Sequence, residues 1–98
     1  MNIEHKLDGK TLTVTPLGRL DSISSGDFSD FLKEHFTDDM EALVIDFSHV
    51  DFISSKGLRV IIAQYKELNG RTMSCTGANT AVKDVFRISG LAKTFGVQ

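Results

Sequence analysis

Ser54 and Ser55 stand together immediately before Lys56 and Gly57, where an apolar run of helical period begins. A serine at a helix start can cap the helix, attack a carbonyl if a base activates it, or accept a phosphoryl group. Capping is worth about 1 kcal/mol and requires no further function. Nucleophilic attack needs a base that is itself oriented by an acid. Asp46, His49 and Ser55 lie in one stretch and can be drawn as such a triad, but their spacing gives no reason to expect the required hydrogen bonds. The G-x-S-x-G elbow and the G-x-x-x-x-G-K-[ST] phosphate loop are both missing. Ser54-Ser55-Lys56-Gly57 only resembles the end of that loop with its order reversed.

The other reactive side chains are dispersed. Metal sites need clustered His, Cys or carboxylate ligands, whereas His5, His35 and His49 fall on separate elements and Cys75 has no second cysteine to pair with. His5 reads as a core or edge histidine of a strand, His35 as helix surface, and Cys75 as a small buried hydrophobe. Catalytic and metal-binding residues are therefore expected to be none, and no cofactor is expected. Asp21 and Asp46 each follow an apolar stretch. Both are expected to open on the same sheet edge as Ser55, either as turn-forming carboxylates or as a polar patch beside the serines.

Those groups must be positioned by 98 residues, enough for one domain spanning 1–98. Eleven Lys and Arg are scattered among thirteen acids for a net charge of −2, which argues against a nucleic-acid partner. No apolar run approaches the roughly 20 residues of a membrane span, so no direct membrane contact is expected. The polar start MNIEHKLDGK does not read as a signal peptide. With a single cysteine, these features lead to the expectation of a cytoplasmic protein.

Alternation of Ile3, His5 and Leu7 with Glu4 and Lys6 predicts a strand, and Asp8-Gly9 a tight hairpin turn into a second strand over residues 10–17. Pro16 belongs at an edge or beside a bulge. Ser22 to Gly26 reads as a polar loop. Phe28, Phe31, Leu32, His35 and Phe36 form a helical stripe that Ser24 or Ser25 can cap. Ala42-Leu43-Val44-Ile45 reads as a strand buried on both faces. Residues 46–55 read as a polar connection anchored by Phe52 and Ile53. A helix follows from Lys56 to about Leu68, stopped by Asn69-Gly70. Next come a weaker strand over 71–76 and a helix capped by Asn79 and ended by Gly90. An apolar tail with Leu91, Phe95 and Val97 folds back. Long strand–helix–strand connections imply parallel neighbours. The fold class is α/β with α+β-like character, a single mixed sheet of four to five strands flanked by helices.

The string from Asp46 through Phe47, Ser48, His49, Val50, Asp51, Phe52, Ile53, Ser54, Ser55, Lys56 and Gly57 to Leu58 closely resembles the signature of STAS domains, particularly the bacterial anti-sigma factor antagonists. Gly18-Arg19-Leu20-Asp21 is similar to the family's Gly-x-Leu-Asp, and residues 79–91 to its apolar helix followed by Gly-Leu. The resemblance covers nearly the whole chain. It implies a mixed sheet flanked by helices and places the family's regulatory phosphorylation serine on Ser55. Ser54 stands where the family has an acid and Lys56 where it has a small hydroxyl residue, which leaves Ser54 as an alternative acceptor.

What the resemblance implies is a non-enzymatic partner-switching regulator. It would bind an anti-sigma factor or related serine protein kinase when unphosphorylated, be released by phosphorylation, and be reset by a serine phosphatase. The partner-facing edge would comprise Asp21, Ser22, Asp46, Asp51, Ser54, Ser55, Lys56, Gly57, Leu58 and Arg59. Two alternatives are a non-phosphorylated STAS subunit of a lipid-transport ABC complex and a serine hydrolase.

Overall fold

A computed structural model describes residues 1–97. Strand β1 (Asn2–Asp8) and strand β2 (Thr11–Leu20) form an antiparallel hairpin with Asp8 opposite Thr11. The two-residue turn is therefore Gly9-Lys10. Only Gly9 takes a positive φ, +61°, as a glycine-led hairpin turn requires. Helix α1 (Ser24–His35) leads to strand β3 (Ala42–Asp46), which runs parallel to the first half of β2. Strand β4 (Val50–Ile53) runs parallel to the end of β2. Helix α2 (Ser55–Lys66) precedes strand β5 (Thr72–Thr76), parallel to β3. Helices α3 (Thr80–Ile88) and α4 (Ala92–Phe95) follow. The five-stranded mixed sheet has the order β1-β2-β3-β5, with β4 paired to β2 beyond the reach of β3.

Register assigns the two faces of the sheet. Leu12 pairs with Leu43 and Leu43 with Met73, while Val14 pairs with Ile45 and Ile45 with Cys75. These residues point one way by the two-residue alternation of strands. Their face meets Phe28 and Leu32 of α1, Leu58 and Ile61 of α2, Val82 and Phe86 of α3 and Phe95 of α4 in one core. Thr11, Thr13, Thr15, Val44 and Ser74 point the other way and are half-buried or exposed. The protein is thus two-layered, and β3 is fully buried on one face only, not on both. Val44 is half-covered without an overlying helix.

Three further expectations are corrected. Val50–Ile53 is a strand rather than a loop, because β2 continues to Leu20 and offers a free parallel edge beyond β3. Pro16 sits in a central strand rather than at an edge, between the last β3 pair at Val14 and the first β4 pair at Gly18, two residues before the register shift at Gly18/Arg19. The Lys10 carbonyl and the Gly18 N–H both bond on that side. Alternation therefore points the Pro16 nitrogen into the gap, where no ladder bond is lost. Finally, neither Ser24 nor Ser25 caps α1. Its first N–H groups bond to Asp21 instead.

Helix α2 ends at Lys66, short of the expected stop at Asn69-Gly70, whereas α3 closes at Gly90 as expected. Gly90 has φ +73°, the Leu91 N–H donates to the Phe86 carbonyl at 2.8 Å, and the Gly90 N–H donates to Arg87 at 3.0 Å. This is the paired closure of a glycine-terminated helix. The tail beyond it includes the short helix α4 and buries Phe95 and Val97. Among the described residues no helix is long and apolar enough to cross a membrane.

Candidate functional site

The end of β2 positions the serine pair. The Ser54 N–H donates to the Leu20 carbonyl at 2.9 Å, one step beyond the Leu20–Ile53 pair. Ser54 is the N-cap of α2, with extended backbone and an Oγ that accepts the Gly57 N–H at 3.2 Å. Gly57 makes this joint possible, since a Cβ there would lie 2.6 Å from the Leu20 carbonyl oxygen. Ser55 is the first helical residue. It is exposed, and its hydroxyl makes no hydrogen bond among the described residues. The two serines are therefore chemically distinct: Ser54 is half-buried and occupied, whereas Ser55 is presented to solvent.

The first turn of α2 contains no acid. It carries Lys56, and Arg59 follows at the start of the next turn, four residues beyond Ser55; both are exposed. Neither has an ion-pair partner among the described residues. The positive end of a helix favours anions, by about 0.3–1 kcal/mol per charge. Two cations there are locally unfavourable, and an anion at Ser55 would relieve them.

Asp21 follows β2 and closes the turn into α1. Its Oδ1 accepts the N–H groups of Ile23 and Ser24, both at 3.0 Å, and the Ser24 hydroxyl at 3.2 Å. These backbone donations, from Ser24 first and Ile23 second, hold the Asp21 carboxyl below its usual pKa, and the Arg19 guanidinium adds to the effect. Ser22, in the same turn, is exposed.

Asp46 is not on this edge. It lies one residue past the Val14–Ile45 pair, whereas Ile53 is level with Leu20. The offset of five residues along β2 corresponds to about 16 Å. Its Oδ1 accepts the Ser48 N–H at 2.9 Å, so the carboxylate shapes the turn between β3 and β4. That separation corrects the expectation that Asp21 and Asp46 flank Ser55 together. It also undoes the drawn triad: no hydrogen bond joins any two of Asp46, His49 and Ser55 among the described residues. Asp51 is exposed on β4, and its carbonyl accepts from Asn79 Nδ2 at 3.3 Å.

The remaining reactive groups lie elsewhere. His5 is an exposed residue of edge strand β1, not a core histidine, and its ring meets Phe31 and His35. Burial pushes the Cys75 thiol up to about 12, which removes it as a thiolate nucleophile at neutral pH. No group of three or more His, Cys, Asp or Glu residues is arranged for a metal among the described residues.

The STAS domain family model matches residues 2–98. This chain belongs to that family. Its fold is shared with an anti-sigma factor antagonist from Mycobacterium paratuberculosis, at TM-score 0.88 and 25% identity, covering 96% of this chain and 81% of that one. It is also similar to the phosphorylated form of the Bacillus cell fate determinant SpoIIAA, at TM-score 0.75 and 17% identity, covering 94% and 86%. A third similar structure is a serine-to-glutamate variant of RsbS from Moorella thermoacetica, at TM-score 0.72 and 26% identity, covering 93% and 80%.

Three further residues of this STAS domain border the site or hold its strand in place. Ile23, within the stretch Ser22 to Gly26 that reads as a polar loop, is a large apolar side chain that is 88% exposed. An isoleucine among serines and aspartate was the available signal. Phe52, expected with Ile53 as an apolar anchor of the connection, is 37% exposed and lies under the Arg19 guanidinium, 4.8 Å from ring centroid to Cζ. Arg19 and Phe52 are register partners on β2 and β4. Asn79 caps α3 through Oδ1, accepting from Val82 at 2.9 Å, and its Nδ2 also holds the carbonyls of Val50 and Asp51.

Proposed function

We propose that this STAS domain is a non-enzymatic regulator of the anti-sigma factor antagonist type. It binds an anti-sigma factor or related serine kinase while the Ser55 hydroxyl is free, and phosphorylation of that hydroxyl releases it. ATP and its metal belong to the kinase, and a serine phosphatase restores the binding form in the cytoplasm. The observation that carries this reading is the division of labour between the serines. Ser54 is committed as a cap, while Ser55 offers an unbonded, exposed hydroxyl on the first turn of a rigid helix.

The chemistry of the modified state supports the reading. A phosphate adds about −1.5 to −2 charges and three acceptor oxygens. At Ser55 it meets the positive end of α2, adjacent Lys56, and Arg59 on the same helical face at i+4. The fold tolerates it, and the change is confined to the surface a partner would cover. A dianion under a docked partner that costs a few kcal/mol lowers affinity a hundredfold or more.

Incubation with ATP and the cognate kinase, followed by mass spectrometry, tests the site. Phosphate is expected on Ser55 and not on Ser54. Ser55→Asp is expected to lose the kinase partner with its melting temperature nearly unchanged, and Ser55→Ala to bind persistently. An aspartate variant that binds as tightly as wild type overturns the switch.

A further inference from the structure

Ile23 is a large apolar side chain that is 88% exposed, yet it is not on a loose loop. Its own N–H donates to Asp21 Oδ1, and Asp21 is in turn held by the Ser24 N–H and hydroxyl. The Ser25 N–H closes on the Asp21 carbonyl at 2.9 Å. The isoleucine is therefore presented on a fixed backbone, three residues beyond Leu20, the residue whose carbonyl holds Ser54. On the strand side of the same edge, Phe52 is partly exposed beneath Arg19. Arg19, Lys56 and Arg59 are exposed, and only Arg19 has an acid within ion-pair range among the described residues, Asp21 at 3.9 Å. The edge thus joins an apolar knob on a fixed backbone to two cations, Lys56 and Arg59, that have no acid in ion-pair range among the described residues, in a chain whose net charge is −2.

Resting on the partner-switching reading, we propose that Ile23 is the anchor of the docking surface beside Ser55, and that its partner is a protein face with an apolar socket bordered by carboxylates. Burial of a rigid side chain loses little conformational freedom, so most of the apolar gain appears as affinity. Carboxylates facing Lys56 and Arg59 are the complementary choice and steer encounter. The same complementarity explains why a phosphate would act strongly there. It neutralises the cations that the partner uses and repels the partner's acids. Asp51, exposed on β4, and Asp21, beside Arg19, oppose that field.

The probe is the purified serine kinase that places phosphate on Ser55, titrated against the full chain without nucleotide turnover. Ile23→Ala is expected to weaken binding about tenfold or more, the loss for removing most of one buried apolar side chain. Ile88→Ala serves as the control, because Ile88 is 85% exposed on α3 and lies outside this edge. It is expected to change nothing. Wild-type affinity is expected to fall with rising ionic strength, and a Lys56→Gln, Arg59→Gln double variant to lose most of that dependence. Both isoleucine variants are expected to melt with wild type, which separates docking from folding. If Ile23→Ala binds within twofold of wild type while Ser55→Asp fails to bind, the anchor is overturned and the switch stands. If Ser55→Asp binds as wild type while Ile23→Ala fails, the switch is overturned and the anchor stands. Affinity independent of salt overturns the acidic partner face.

Discussion

Gly57 rests on the carbonyl of Leu20, so closely that a Cβ at position 57 would stand 2.6 Å from that oxygen and 3.0 Å from Leu20 Cγ. The contact joins the end of the central strand to the first turn of α2. It fixes the height at which Ser55 leaves the surface. Gly57→Ala must shift backbone rather than a flexible side-chain tip. It should therefore destabilise by about 1–3 kcal/mol, the range for overpacking a tight contact. Urea denaturation should show the loss, together with slower phosphorylation of Ser55 because the helix start is displaced.

Ser54→Ala separates capping from modification. Removing the Oγ that accepts the Gly57 N–H should cost about 1 kcal/mol, seen as a lower denaturation midpoint. Ser55→Ala, which removes an unbonded exposed hydroxyl, should leave the midpoint within about 0.5 kcal/mol of wild type. Kinase-dependent phosphate should persist in the first variant and vanish in the second. A vanishing signal in Ser54→Ala and a persistent one in Ser55→Ala would reverse the assignment of roles.

Much of this site was legible because its pieces are local. Ser54 and Asn79 are caps whose partners lie three residues on, and Gly90 closes a helix through neighbouring carbonyls. The hairpin and the helical stripes depend on short periods. What escaped the sequence depends on register between distant segments. Nothing in Val50–Ile53 announces a strand until β2 is known to outrun β3. The same fact carries Asp46 away from Ser55 and turns Phe52 outward beneath Arg19. The openness of the second sheet face was likewise invisible. Val44 alternates with Leu43 and Ile45 in an unbroken apolar run, and only the one-sided placement of all four described helices distinguishes its environment.

Asp21 makes a pH-dependent contribution whose sign follows from its hydrogen bonds. Its carboxyl is held below the ordinary value of 3.8 by the Ser24 and Ile23 N–H groups. The unfolded chain therefore takes up the proton first as pH falls. The contribution is complete above about pH 4 and disappears as pH drops through the lower folded value. Asp39 is lowered in the same direction by the Thr37 hydroxyl, so the measurement must be differential. Stability of wild type minus that of Asp21→Asn, from denaturation at stepped acidic pH, should be constant near neutrality and shrink on acidification. A difference that is flat down to pH 2 would contradict this account.

Cys75 acts at the alkaline end with the opposite slope. Its thiol is pushed from 9.0 to about 12 by burial. Below pH 9 the thiol is protonated in both states and contributes nothing to the slope. Between 9 and 12 the unfolded chain ionises and the folded one does not, so stability should fall with rising pH. Cys75→Ala should flatten that slope, despite a lower absolute stability from the lost packing. In the native protein at neutral pH, alkylation by iodoacetamide should proceed only as fast as the chain opens, and so accelerate sharply in urea.

The phosphorylated chain should be at least as stable as the unmodified one. The dianion at Ser55 sits where α2 carries Lys56 and Arg59 and no acid in its first turn, so it removes a repulsion rather than creating one. The helix-end interaction alone is worth about 0.3–1 kcal/mol. Thermal melts of the Ser55-phosphorylated protein should match or slightly exceed those of the unmodified form at low ionic strength, and the increment should diminish as salt is added. Lys56→Gln combined with Arg59→Gln should raise the stability of the unmodified chain and reduce the increment from phosphate. This coupling distinguishes local charge relief from a general effect of added negative charge, which would be insensitive to those two side chains. A phosphorylated form that melts well below the unmodified one would mean that release comes from unfolding of the helix start rather than from a changed surface on an intact fold.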